Sequence, residues 1–191
     1  HTPAQNLVIA DKDGHYGFYA LGVVPIRNYS GRVAVPATKQ YQWKGYIPFW
    51  QMPQVENPER GYVMNANNQV VSRHYGYNLS RLGFDDFRAK GIVNLLSHSE
   101  NISINSMQNI QQNSVDQAWL YYRPILLKAV PGSPLAKQAL QALERWDTTA
   151  KGESFEVTIF SMWQREIAKR MYYPIKSELD SWAYPIYDDD F

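Results

Sequence analysis

QNLVIADKDGHYGFYAL, residues 5–21, sets the architecture of the chain. Leu7-Val8-Ile9-Ala10 is a short apolar run, and Lys12-Asp13-Gly14 follows it. An Asp-Gly pair between two β-prone runs is a strong hairpin signal. His15 to Leu21 then alternates Tyr, Phe and Tyr with small residues, so the stretch predicts two antiparallel strands. Residues 22–43 hold Pro25, Gly31 and Pro36 and few periodic apolar positions, which predicts a long ordered loop. Structureless loops of about 20 residues are uncommon in compact domains and are often functional. Tyr62-Val63-Met64 and Gln69-Val70-Val71 are the next strand candidates.

From residue 84 the apolar period becomes helical. Phe84, Phe87, Ile92, Leu95 and Leu96 recur on one helix face, with Asp85 and Asp86 where a cap and first-turn acids belong. Val115, Ala118, Trp119, Tyr122, Ile125 and Leu126 make a second stripe. Ser133-Pro134 predicts a helix start, a capping hydroxyl followed by proline at the first helical position, and Leu135, Ala139, Leu143 and Trp146 continue it. Phe155, Ile159, Trp163, Ile167 and Met171 make a last long stripe. Strands first and helices afterwards predict an α+β fold, a β-rich part over 1–83 and a helical part over 84–191.

Composition narrows the function. The 191 residues include 14 Tyr, 7 Phe and 6 Trp, ample apolar area for a core. A net charge of +1 gives no electrostatic argument for nucleic acid or a membrane surface. No apolar run reaches the length of a bilayer span. The absence of cysteine excludes disulfides, a thiol nucleophile and thiolate-bound metal. His1, His15, His74 and His98 have no metal-ligand spacing, and Asp188-Asp189-Asp190 predicts a solvated surface segment.

RGYVMNANNQVV, residues 60–71, carries the chemistry. Taken alone, Asn67-Asn68 between two strand candidates is turn material, because Asn tolerates the left-handed conformation. A fixed amide N–H is also a donor that stays neutral at any pH, suited to a carbonyl oxygen gaining negative charge. Arg88, near a helix start, opposes the macrodipole. Its bland reading is a surface pair with Asp85 or Asp86.

Ordered motifs favour the functional readings. Residues 5–11 and 13–18, QNLVIAD and DGHYGF, resemble the "QN…AD..G.IGY" hairpin of the penicillin acylase family of N-terminal-nucleophile hydrolases. Gly22 to Arg27 is similar to its "G..P.R" turn, and Trp43, Gly45, Pro48 and Phe49 to "W.G..PF". Asn57-Pro58 and Gly61-Tyr62 match "NP..GY" before the Asn pair. Residues 87–92, FRAKGI, resemble "YRA.RI"; Ile110-Gln111 and Trp146-Asp147 resemble "LQ.D" and "WD". Gly91 stands where a second Arg is common, and Asn113 where Asp is common.

The resemblance implies a fragment of the β-subunit of such an acylase, within an αββα sandwich. It implies hydrolysis of a linear amide such as a penicillin or an acyl-homoserine lactone. The nucleophile would lie outside this chain, leaving the isolated chain inactive, and the partners would be the remaining segments of the same precursor. By the same resemblance Asn67 is the oxyanion donor, Arg88 orients the site, and Gln5 lies near the acyl-binding pocket. No organic cofactor is implied. Asn78 and Gly31 match positions that hold a structural calcium, with Asn78 replacing an Asp and losing a charge. The implied location is periplasmic or secreted. Two rival readings stand beside it: an aromatic-rich carbohydrate-binding module, and a nucleophilic Thr2 exposed by removal of His1.

Overall fold

The computed structural model describes residues 4–29, 31, 34–72, 74–79 and 86–179, with side chains described to residue 171. Thr2, Phe84, Asp85 and Asp188-Asp189-Asp190 lie outside these residues. The described residues form three antiparallel strands followed by five helices, an α+β fold. Two compact units divide the chain, His1–Gln111 and Gln112–Phe191.

In the first unit, β1 (Gln5–Ala10) pairs with β2 (Tyr16–Leu21) in the register Gln5 to Leu21 and Ala10 to Tyr16. The hairpin loop is organised by a carboxylate as well as by Gly14. Asp11 Oδ1 accepts from the N–H groups of Asp13 and His15, each at 2.9 Å, and Gly14 has φ +89°. A short β3 (Gln54–Glu56) adds to the other edge of β2. At Gly17 a Cβ would stand 2.9 Å from the Val55 carbonyl, so this pairing needs glycine. The expected strands at Tyr62–Met64 and Gln69–Val71 do not form; both segments are unpaired. Between them, side-chain bonds from Asn65 and Asn68 close a local turn, and Arg60 Nε donates to the Tyr62 carbonyl at 2.9 Å. The described residues between 22 and 43 form the expected loop, with one 3-10 turn at Lys39–Tyr41. Backbone bonds pin it: Ile26 N–H to Gly45 O, Lys44 N–H to Ile26 O and Ile47 N–H to Val24 O, each 2.9 Å.

Helix α1 (Phe87–Ser97) begins at Asp86, whose side chain makes no capping bond. Helix α2 (Ile104–Gln111), unanticipated, is capped reciprocally: Ser103 Oγ accepts from Ser106 N–H at 3.1 Å and Ser106 Oγ from Ser103 N–H at 2.8 Å. In the second unit, α3 (Gln117–Leu126) is capped by Asp116, which accepts from Trp119 N–H at 2.8 Å. Helix α4 (Pro134–Arg145) starts as expected, with Ser133 Oγ accepting from Ala136 N–H at 3.1 Å. It packs on α5 (Phe155–Leu179).

The core of this unit is Trp119, Leu126, Leu143, Trp146 and Phe160. Trp119 and Phe160 are fully buried, their rings edge-on at 5.3 Å. The expected α5 stripe is corrected at both ends. Phe155 is 60% exposed, because four-residue steps drift by about 40° per step around a helix. Ile167 and Met171 are exposed because 25-residue α5 outreaches 10-residue α3 and 12-residue α4. Phe160, outside the stripe, takes the centre.

Candidate active site

The site is built on the turn Asn65–Asn68. Asn67 has φ +61°, the left-handed region, which costs a non-glycine residue about 1–2 kcal/mol unless local bonds offset it. Such bonds are present: Asn65 Oδ1 accepts from the Asn67 N–H at 3.1 Å, and Asn68 Oδ1 accepts from the Ala66 N–H at 3.0 Å. Ala66 is buried, which fixes the turn against the rest of the unit. The sequence's reading of Asn67-Asn68 as a turn therefore describes this segment. A left-handed Asn at the tip of a rigid turn holds its side chain out from the backbone.

Arg88, in the first turn of α1, reaches this segment. Its Nη2 donates to the Ala66 carbonyl at 2.7 Å and to Asn67 Oδ1 at 2.9 Å. The expected alternative, a pair with Asp86, does not form among the described residues. A guanidinium has donors only, so the oxygen end of the Asn67 amide faces it. That sets the orientation of the amide: Nδ2 points away from Arg88, and no described residue takes its hydrogen bond. The cation also polarises the amide, which strengthens the donor end.

Gln5 opens β1 and is exposed. Asn6, next to it, donates from Nδ2 to Asn65 Oδ1 at 3.0 Å, so β1 is tied to the turn through Asn6. Sequence reasoning did not single out Asn6 or Asn65. The available signal was a polar side chain in an apolar strand and a third Asn two residues before the pair. An open cavity of about 480 Å³ lies on the Asn68 side of the turn, between Met64, Gln69, Ala89 and Val93. Asn67 does not line it.

Asn78 and Gly31 are brought together in part. Asn78 Nδ2 donates to the Tyr29 carbonyl at 3.1 Å, two residues before Gly31. Gly31 has φ +74°, and the Arg27 guanidinium lies directly against it. Calcium takes six to eight oxygens and favours carboxylates. Two neutral oxygens, one beside a fixed cation, are not that donor set, and no group of three or more His, Asp or Glu gathers among the described residues. The described residues alone do not fit calcium.

Titration is perturbed away from the turn. Hydrogen bonds from His15, its backbone N–H first, hold the Asp11 carboxyl below its ordinary 3.8. The Glu56 carboxylate accepting from Tyr19 raises that phenol, and burial followed by the neighbouring Tyr77 raises Tyr75.

Comparison with known proteins places the chain in a family. The chain is 30% identical over 152 residues to penicillin G acylase of Escherichia coli, covering 74% of this chain. It is 30% identical over 158 residues to the acyl-homoserine lactone acylase QuiP of Pseudomonas aeruginosa, covering 79%. In each case the chain spans 18% of the relative's length. The structure of thermostable penicillin G acylase from Alcaligenes faecalis superposes with a TM-score of 0.59 at 26% identity, over 78% of this chain and 28% of that one. No helix among the described residues is long and apolar enough to cross a membrane. The penicillin amidase family model matches residues 1–189, and this chain belongs to that family.

Proposed function

We propose that the whole protein containing this chain hydrolyses a linear amide, such as a penicillin, an acyl-homoserine lactone or a related acyl amide. An N-terminal nucleophile outside this chain attacks the carbonyl, with its own α-amine as base, since that amine titrates near pH 8. Asn67 Nδ2 donates to the oxygen of the tetrahedral intermediate, a contribution of roughly 3–4 kcal/mol in comparable sites. Arg88 orients that donor. Gln5 contributes to the acyl-binding side. The remaining segments of the precursor complete the site, and the protein acts in the periplasm or outside the cell. A structural calcium ligated by Asn78 and Gly31 belongs to the same proposal and requires carboxylates beyond the described residues.

One observation carries the reading: Arg88 holds Asn67 by its oxygen, and the Asn67 Nδ2 has no partner among the described residues. Family membership and relatives named as acylases support it. The test is Asn67→Ala in the whole protein, which lowers the catalytic rate ~100-fold or more with a smaller effect on stability. Asn68→Ala costs much less. Equal losses at both positions would reduce the pair to a turn. The purified 191-residue chain alone gives no turnover of a chromogenic acyl amide; stoichiometric, active-site-titrated turnover would place a nucleophile within it.

The carbohydrate-binding alternative draws on one feature, the exposed Trp43, Tyr46, Phe49 and Trp50. Retention on immobilised oligosaccharides, with no amidase activity in the whole protein, would favour it.

A further inference from the structure

Asn67 is gripped twice, and the two grips differ. Arg88 holds its side chain. Asn65 holds its backbone, accepting the Asn67 N–H at 3.1 Å, and Asn65 is itself held by Asn6 Nδ2 at 3.0 Å. Asn6 lies within β1, opposite Ala20 of β2, so a two-bond relay runs from the sheet to the left-handed residue. Both bonds end on one atom, Asn65 Oδ1. The other end of that amide, Nδ2, is buried and has no partner among the described residues.

An unpartnered buried donor is a cost that the turn's accepted bonds must offset. Aspartate makes the same turn through the same oxygen, but its second, charged oxygen would stand without a donor in the buried place of Nδ2. It would also put a negative charge two residues from the group that receives a developing negative charge. Asparagine gives the acceptor without the charge. We infer that Asn6 and Asn65 are positioning residues for catalysis: Asn6 anchors Asn65, and Asn65 fixes Asn67 in its left-handed, donating geometry while keeping the turn neutral. This rests on the acylase reading above.

The experiment measures kcat and KM in the whole, processed protein, normalised by active-site titration, for Asn65→Asp, Asn65→Ala, Asn6→Ala and Asn67→Ala. Asn65→Asp keeps both accepted bonds but puts an unpartnered charged oxygen in the buried place of Nδ2, so its melting temperature falls. Its kcat falls tenfold or more with KM little changed, because the carboxylate opposes the oxyanion. Asn65→Ala lowers kcat by a similar factor. Combined with Asn67→Ala it adds nothing further, since Asn65 acts only through Asn67. Asn6→Ala lowers kcat a few-fold and serves if Asn65→Ala does not fold. Parental kcat in Asn65→Asp, or losses at 65 and 67 that multiply, would overturn the positioning role while leaving Asn67 in place. Parental kcat in Asn67→Ala would overturn the acylase reading and this inference together.

Discussion

The two compact units hold themselves together by different means. Residues 112–191 include one apolar cluster, in which Trp119, Trp146 and Phe160 meet ring to ring at 5.3–6.3 Å. Residues 1–111 bury apolar side chains singly among the described residues: Phe18 on β2, Ile47 and Met52 before β3, Ala66 in the turn, Ala89 and Leu96 on α1. Their apolar strand β1 is open on both faces, with Leu7, Val8 and Ile9 between 40% and 50% exposed. What fixes the site-bearing unit is instead a set of long-range polar bonds. Asn6 to Asn65, Tyr16 to Asn57 and Pro58, and Arg88 to Ala66 and Asn67 each close 21 residues of chain or more. Directional bonds set angles, which a donor aimed at a reacting carbonyl needs. A greasy core supplies more stability and less aim.

The contrast breaks most visibly under truncation of the core. Phe160→Ala removes the fully buried ring at the centre of the second unit and costs about 3–5 kcal/mol. Val8→Ala on the open strand costs less than about 1 kcal/mol. Urea unfolding of the whole protein, followed by tryptophan fluorescence, measures both; Trp119, Trp146 and Trp163 all lie in or against the core and report on it. Similar losses at the two positions would mean that β1 is as well packed as the helices.

Arg88→Leu tests the polar half. Two charge-assisted bonds go, at 2.7 and 2.9 Å, and both lie at the turn. A cation near a helix N-terminus is mildly unfavourable, by about 0.3–1 kcal/mol at an exposed site, so α1 itself loses nothing. Circular dichroism and melting temperature change little, while turnover or autocatalytic maturation falls roughly tenfold to a hundredfold. A variant that matures fully and turns over at the parental rate would make the Arg88 bonds a structural tie only.

Sequence legibility followed the same division. The hairpin was readable from Asp13-Gly14, and α4 from Ser133-Pro134, because each is local chemistry with one good solution. The Asn pair was readable as a turn for the same reason. Three elements were not. β3 is three residues long and owes its pairing to the glycine gap at Gly17, which no period reveals. In α2 the apolar Ile104, Met107 and Ile110 are thinly spread among polar residues, and the Ser103 and Ser106 cap was its only strong mark. Phe160 was displaced by a stripe that a straight helix cannot keep on one face. At the site, Asn67 and Arg88 needed the resemblance to be chosen, and Asn6 and Asn65 needed the fold. Their bond spans 59 residues, and nothing local announces it.

The smallest expected effect compares two acid-organised turns, one per unit. Asp11 shapes the β1–β2 loop and Asp147 the 147–151 turn; both carboxyls are held below 3.8. A depressed folded-state value means that the ionised form favours folding. Each turn's contribution is therefore present above the unfolded value near 3.8 and is lost as pH falls through the lower folded one. Their causes differ. For Asp11 the chief cause is the His15 backbone N–H at 2.9 Å, a neutral donor fixed by the hairpin. For Asp147 it is the Lys151 ammonium at 2.9 Å, an exposed ion pair. Salt screens charge pairs in water and leaves a short neutral hydrogen bond nearly untouched. Nuclear magnetic resonance titration of the two carboxyls between pH 2 and 6 (roughly the carboxylate range) reads this directly. From 0.05 to about 0.5 M salt, Asp147 moves back toward its ordinary value while Asp11 stays low. Lys151→Ala reproduces the salt effect at Asp147 and leaves Asp11 alone. Equal salt sensitivity at both would mean that the hairpin acid, too, is held by charge.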